Sequence, residues 1–162
     1  LHLTNRRQRQ MCIRDSVEMV KNHALGKVEV DELSWCTRKK VNEVKQSRSE
    51  KTYTIRFRGD GIDDKEKAEE AILSLSGRII DQETPRRVSH RRASKTRRRK
   101  VNSIDKVSFD GDEIEVTLRC EAGTYVKELI HSDEGRTTPS VQSVLAADCE
   151  VIWLDVLEIH DD

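Results

Sequence analysis

Residues 113–120 read Glu-Ile-Glu-Val-Thr-Leu-Arg-Cys, an unbroken alternation of polar and apolar side chains. Only an extended strand with one dry and one wet face puts Ile114, Val116, Leu118 and Cys120 on the same side. The Asp-Gly-Asp just before it (110–112) is a hairpin signal, so residues 107–109 are expected to approach a tight turn there. A second stretch, Lys-Thr-Tyr-Thr-Ile-Arg-Phe-Arg-Gly (51–59), alternates as well, with Tyr53, Ile55 and Phe57 facing one way. Half-wet strands of this kind belong to antiparallel sheets, because parallel strands are covered on both faces.

The remaining segments fit around that sheet. Residues 63–77 predict a helix, with Asp63 or Asp64 as its cap and Ala68, Ala71, Ile72 and Leu75 as its apolar stripe. Gly77 stands where a C′ glycine would end it. Helices are also expected at 17–26, stopped by Gly26, at 37–47, with Val41 and Val44 on one side, and at 139–147. Val28 and Val30 predict a strand over 27–35. Arg78-Ile79-Ile80 predicts another running into the basic segment 83–101, and 151–159 a terminal one. Strands and helices mix without regular βαβ alternation. The fold class is α+β: a mixed, mostly antiparallel sheet with flanking helices.

With 162 residues, 35% hydrophobic and 37% charged, the chain has material for one domain or part of one, with a modest core and a heavily solvated surface. Its net charge of zero conceals a segregation. From 85 to 100 there are nine Lys and Arg and no acid, and from 148 onward six Asp and Glu and no Lys or Arg. The basic block is the footprint of a polyanion partner. Cys12, Cys36, Cys120 and Cys149 lack metal-ligand spacing, so no metal is expected, and scattered thiols suit a reducing, cytoplasmic setting. No apolar run reaches membrane-spanning length, and no signal peptide is expected. The chain opens on Leu1, and 10–16 back-translate onto a sequencing adapter. Residues 1–16 are therefore expected to be a non-native leader, with 17–162 the C-terminal portion of a longer protein.

Three stretches carry chemistry. In 84–100 the arginines come in pairs, Arg86-Arg87 and Arg91-Arg92, with Val88 and His90 between them. Such a run can be a solvated charge block. In an extended segment it could also offer guanidinium forks to phosphates while Val88 anchors to the sheet, and RNA, which combines Arg contacts with stacked bases, is the better polyanion. Tyr53 reads either as a core aromatic or as a cleft tyrosine that stacks on a base and can hold or move a proton. In Gly-Thr-Tyr-Val-Lys (123–127), Gly123 allows a tight strand-to-helix turn and Thr124 can cap a helix beginning at Tyr125. That places Lys127 in the first helical turn, where the dipole disfavours a cation unless a carboxylate awaits it.

Together, Lys-Thr-Tyr (51–53), 82–92, 123–140 and 154–159 resemble the archaeal and eukaryotic tRNA pseudouridine synthase family that modifies T-loop positions 54 and 55. The resemblance covers nearly everything from residue 17 onward. It implies the catalytic-domain fold of that family, tRNA as partner and no cofactor. It implies that Tyr53 stacks on the target uracil and that Lys127 pairs with the catalytic aspartate. Val126 would pack beside the base and Leu154 would close the pocket. Arg86, Arg87, His90, Arg91 and Arg92 would line the RNA-binding face, joined by Arg136 from the 131–139 loop.

One part of the pattern is missing. The family's aspartate stands in a Gly-Arg-x-Asp motif upstream of the Lys-Thr-Tyr strand, and no such motif occurs in the 162 residues. Gly-Arg-Ile-Ile-Asp (77–81) has one residue too many and lies downstream; it reads as a helix end entering a strand. The polypeptide by itself is therefore expected to be inactive. A non-catalytic RNA-binding module that uses the arginine-rich segment is the alternative reading.

Overall fold

The computed structural model describes residues 15–23, Val30, 33–46 and 48–160, and the chain divides into two compact units, Leu1–Ser47 and Arg48–Asp162. In the first unit, helix α1 covers residues 15–23 and α2 covers Arg38–Gln46. Thr37 Oγ1 accepts the Lys40 amide at 3.2 Å at the head of α2, and Val41 and Val44 are exposed. The strand expected over 27–35 is not found at its described positions, Val30 and 33–35; its other positions, Gly26 and residues 1–14 lie outside the described residues. Two alternating valines give a period, but a strand also needs a neighbour to take up its backbone bonds.

The second unit holds the sheet. Its strands are β1 (Glu50–Gly59), β2 (Ile79–Gln82), β3 (Arg97–Asp110), β4 (Glu113–Cys120), β5 (Thr137–Thr138) and β6 (Cys149–His160). They lie in the order β5-β2-β3-β4-β1-β6, and every described pairing is antiparallel. The expected hairpin is present: Asp110 pairs with Glu113 across a two-residue loop. Gly111 opens that loop at φ +62, a conformation that an L side chain resists.

The alternation of β1 and β4 divides the sheet into a dry face and a wet one. Ile55 and Phe57 meet Val116 and Ile114 in the core. On the outer face, cross-strand ion pairs form a ladder: Arg56 to Glu115 at 2.8 Å, Arg58 to Glu113 at 2.8 Å, and Arg119 to Glu50 at 2.7 Å. Helices α3 (Lys65–Leu73), α4 (Val126–His131) and α5 (Val141–Leu145) contribute Ile72, Val126, Leu129, Ile130 and Val141 to the same core. Ser140 and Ser143 cap α5 reciprocally. No described helix is long and apolar enough to cross a membrane.

α3 begins where the sequence indicates: Asp64 Oδ1 accepts the Lys67 amide at 3.1 Å. It ends earlier than expected, at Leu73, and tight turns at Leu75, Ser76 and Arg78 follow. Burying Leu75 redirects the chain, so Gly77 (φ +74) is not a helix cap. Instead its amide bonds the Val101 carbonyl at 2.8 Å and leads into β2. Asp81 of the near-miss motif is an exposed strand residue 3.8 Å from Arg98.

Candidate functional site

β4 leaves the sheet at Cys120 and returns as α4. Gly123 makes the turn at φ +80, with Arg99 packed over it. Thr124 does not cap the helix as expected. Its hydroxyl bonds the Glu121 carbonyl at 2.7 Å, and Tyr125 occupies the cap position with no side-chain cap of its own. The turn is held from β2 instead. Gln82, fully buried, accepts the Tyr125 amide through Oε1 and donates to the Tyr125 carbonyl through Nε2, both at 2.9 Å. A side-chain amide gripping both backbone groups of one residue acts like one rung of a β-ladder.

α4 is therefore fixed at its first turn, where Val126 is buried and Lys127 exposed. Among the described residues Lys127 has no ion-pair or hydrogen-bond partner, so the turn presents a bare ammonium. Tyr53 lies opposite Leu118 on β4 and Val156 on β6 and packs against the core cluster that contains Val126, Leu129 and Ile130. Leu154, opposite Ile55, borders the same cluster. Lys51, two residues before Tyr53, is in register with Cys120, the last residue of β4. The phenol and the start of α4 thus share the helix-bearing face and the end of the sheet where β4 exits. Burial, with a smaller contribution from Cys120, raises the Tyr53 pKa, so the hydroxyl stays protonated at neutral pH. Burial likewise pushes the Cys120 and Cys149 thiols up to about 12, which makes them packing groups rather than nucleophiles.

The first part of the basic segment is not extended but coils into a 3-10 turn, Arg86–Val88, and a loop; only from Arg97, where β3 begins, does it run as a strand. Thr84 closes that loop through Ala93, Lys95 and Arg97. Val88 is buried, as an anchor should be. Arg87 donates to both oxygens of Glu128, Nε at 2.6 Å and Nη2 at 3.3 Å, and its guanidinium carbon lies 5.9 Å from the Tyr125 ring centroid. Arg86 pairs with Glu134, and Arg136 with Glu83 at 3.1 Å. His90, Arg91 and Arg92 are exposed, with no side-chain partner among the described residues.

The acids that meet Arg86 sit on a strained turn. Ser132, Asp133, Glu134 and Gly135 all have positive φ, three of them against the preference of their side chains. Ser132 Oγ accepts the Gly135 amide at 3.0 Å, and Asp133 accepts the Arg86 amide at 3.1 Å. An acidic cavity of about 450 Å³ opens beyond this turn, lined by Asp60, Asp133, Glu134, Asp148 and Glu150 among others. Sequence reasoning missed Gln82 and Glu128. The first had a signal, since Ile80 facing inward places Gln82 inward too. The second had none.

This antiparallel sheet with its three packed helices is a fold shared with a solved structure. A chain of the crystal structure of a Cbf5-Nop10-Gar1 complex matches 68% of this chain with a TM-score of 0.55, at 23% identity and over 30% of its own length. The pattern of the family Pus10, C-terminal, matches residues 1–160, and the chain belongs to that family. Two relatives named tRNA pseudouridine synthase Pus10 are similar to it. That of Methanothrix thermoacetophila is 40% identical over 94% of this chain, and that of Pyrococcus furiosus 39% over 96%. The chain spans only 34% and 40% of their respective lengths.

Proposed function

We propose that this chain supplies the uracil-pocket walls and the cation of a tRNA pseudouridine synthase acting on a T-loop uridine, position 54 or 55. The catalytic carboxylate would come from outside these 162 residues. The observation that carries the reading is the gathering of Tyr53, Val126 and Leu154 on one apolar cluster, at the root of the helix that presents Lys127, which has no partner among the described residues.

The chemistry is an isomerisation. The uridine leaves its stack, the bond from C1′ to N1 breaks, the uracil turns, and C1′ bonds C5; C5 loses its proton and N1 gains one. The Lys127 ammonium holds the carboxylate ionised and aimed at C1′. Tyr53, kept neutral, lies flat against the freed base, with Val126 and Leu154 excluding water around it. Arg91 and Arg92 supply charge for the RNA backbone, with His90 beside them as a further hydrogen-bonding group.

Two measurements test this. The 162-residue chain, incubated with T-arm RNA tritiated at C5, releases no tritium; release above background overturns the assigned division of labour. In a longer protein that carries this sequence together with the carboxylate, Lys127→Ala lowers turnover at least a hundredfold while the unfolding midpoint stays put. Loss of folding with full activity per folded molecule would remove the ion-pair role. A non-catalytic RNA-binding module remains the second reading, favoured by the missing Gly-Arg-x-Asp; Lys127→Ala then changes nothing but affinity.

A further inference from the structure

Arg87 is built unlike a phosphate contact. Its forked edge, Nε and Nη2, is already engaged by both oxygens of Glu128, a carboxylate only 1% exposed. The side-on fork with which arginine can grip a phosphate is therefore occupied, and Nη1 makes no hydrogen bond among the described residues. One side of the guanidinium lies over Tyr125. Yet 53% of the side chain remains open to solvent. With the Nε–Nη2 edge and the Tyr125 side engaged, the side facing away from Tyr125 is the one left for a ligand. A guanidinium plane held flat is a surface on which an unstacked nucleobase rests.

Its surroundings bring such a base near. Lys127 adjoins Glu128 on α4, and His90, Arg91 and Arg92 follow one turn after Arg87, all exposed and without side-chain partners among the described residues. The ring beneath Arg87 belongs to Tyr125, whose backbone is clamped by Gln82. The platform is thus held from both sides and neutralised on its buried edge, with the exposed Arg91 and Arg92 a few residues on along the chain.

We infer that Arg87, locked by Glu128 over Tyr125, is a stacking platform for one unpaired base of a loop RNA, next to the position of Lys127. The inference rests on the proposed RNA-binding function and names the kind of contact made there.

The test uses the full 162-residue chain and a T-arm stem–loop RNA, intact or with a single abasic nucleotide at each loop position in turn. One abasic position weakens binding by the wild-type chain about tenfold. Arg87→Lys, which keeps the charge opposite Glu128 but has no plane, weakens binding of the intact RNA about as much, leaves the salt slope unchanged, and is indifferent to that abasic position. If Arg87→Lys instead binds like wild type and Arg87→Gln lowers the salt slope by about one unit, Arg87 is a phosphate contact and the inference fails. If no abasic position matters, it fails as well. Absence of any binding by the wild-type chain removes the RNA-binding reading and this inference together, and is told apart by needing no variant.

Discussion

Arg86-Arg87 and Arg91-Arg92 are the same dipeptide five positions apart, and the fold treats them oppositely. The first pair is latched: Arg87 to buried Glu128, Arg86 to Glu134 and, through its amide, to Asp133. The second pair faces water with no side-chain partner among the described residues. One pair is therefore tied to acids on and after α4, and the other keeps its charges open to solvent. A charge run tells how much charge is present; which charges are already satisfied is decided by acids elsewhere in the chain.

The largest difference should appear in stability. Arg87→Ala leaves the Glu128 carboxylate buried and unpaired and is expected to cost about 3 kcal/mol, whereas Arg91→Ala changes stability by less than about 0.5 kcal/mol. Urea unfolding of both variants checks this, and equal midpoints would erase the distinction. Arg86→Ala falls between. Its pair with Glu134 is exposed on both sides, so it contributes only about 0–1 kcal/mol and fades as salt rises. A loss that persists in 1 M salt would place Arg86 with Arg87 as a true structural latch. The smallest stability effect belongs to the double variant Arg91→Ala, Arg92→Ala, which should melt like wild type. Its readout is RNA affinity against salt, with the log–log slope reduced by about one to two units. An unchanged slope would mean that the second pair makes no phosphate contact.

Local rules carried far in this chain. β4 could be read because its period is strict, its turn sits beside it, and its inward residues are simply apolar. The head of α3 was legible because Asp64 and Lys67 are three residues apart. What could not be read depended on distant partners. Thr124 looks like a cap, but Gln82, 43 positions upstream, holds the helix start. The arginine segment looks extended, but its acids lie 41 and 48 positions downstream and draw it into a turn. At the site, Tyr53 could be read from its alternating strand, Val126 and Leu154 entered only through the family resemblance, and the apolar cluster they share is the fold's contribution. Glu128 left no trace in the sequence, since a six-residue helix buried on several sides shows no clear period.

The ladder of β1 also carries a consequence for the order of assembly. Its contact with β4 spans 63 positions, as Thr54 to Thr117, and its contact with β6 spans 108, as Thr52 to His160. The compact β3–β4 hairpin can form while synthesis continues, and β1 can then join it. β6 must wait until the last of these residues has emerged. During that interval one flank of the strand bearing Tyr53 has no neighbour, and a nascent chain in that state is a natural client for a chaperone.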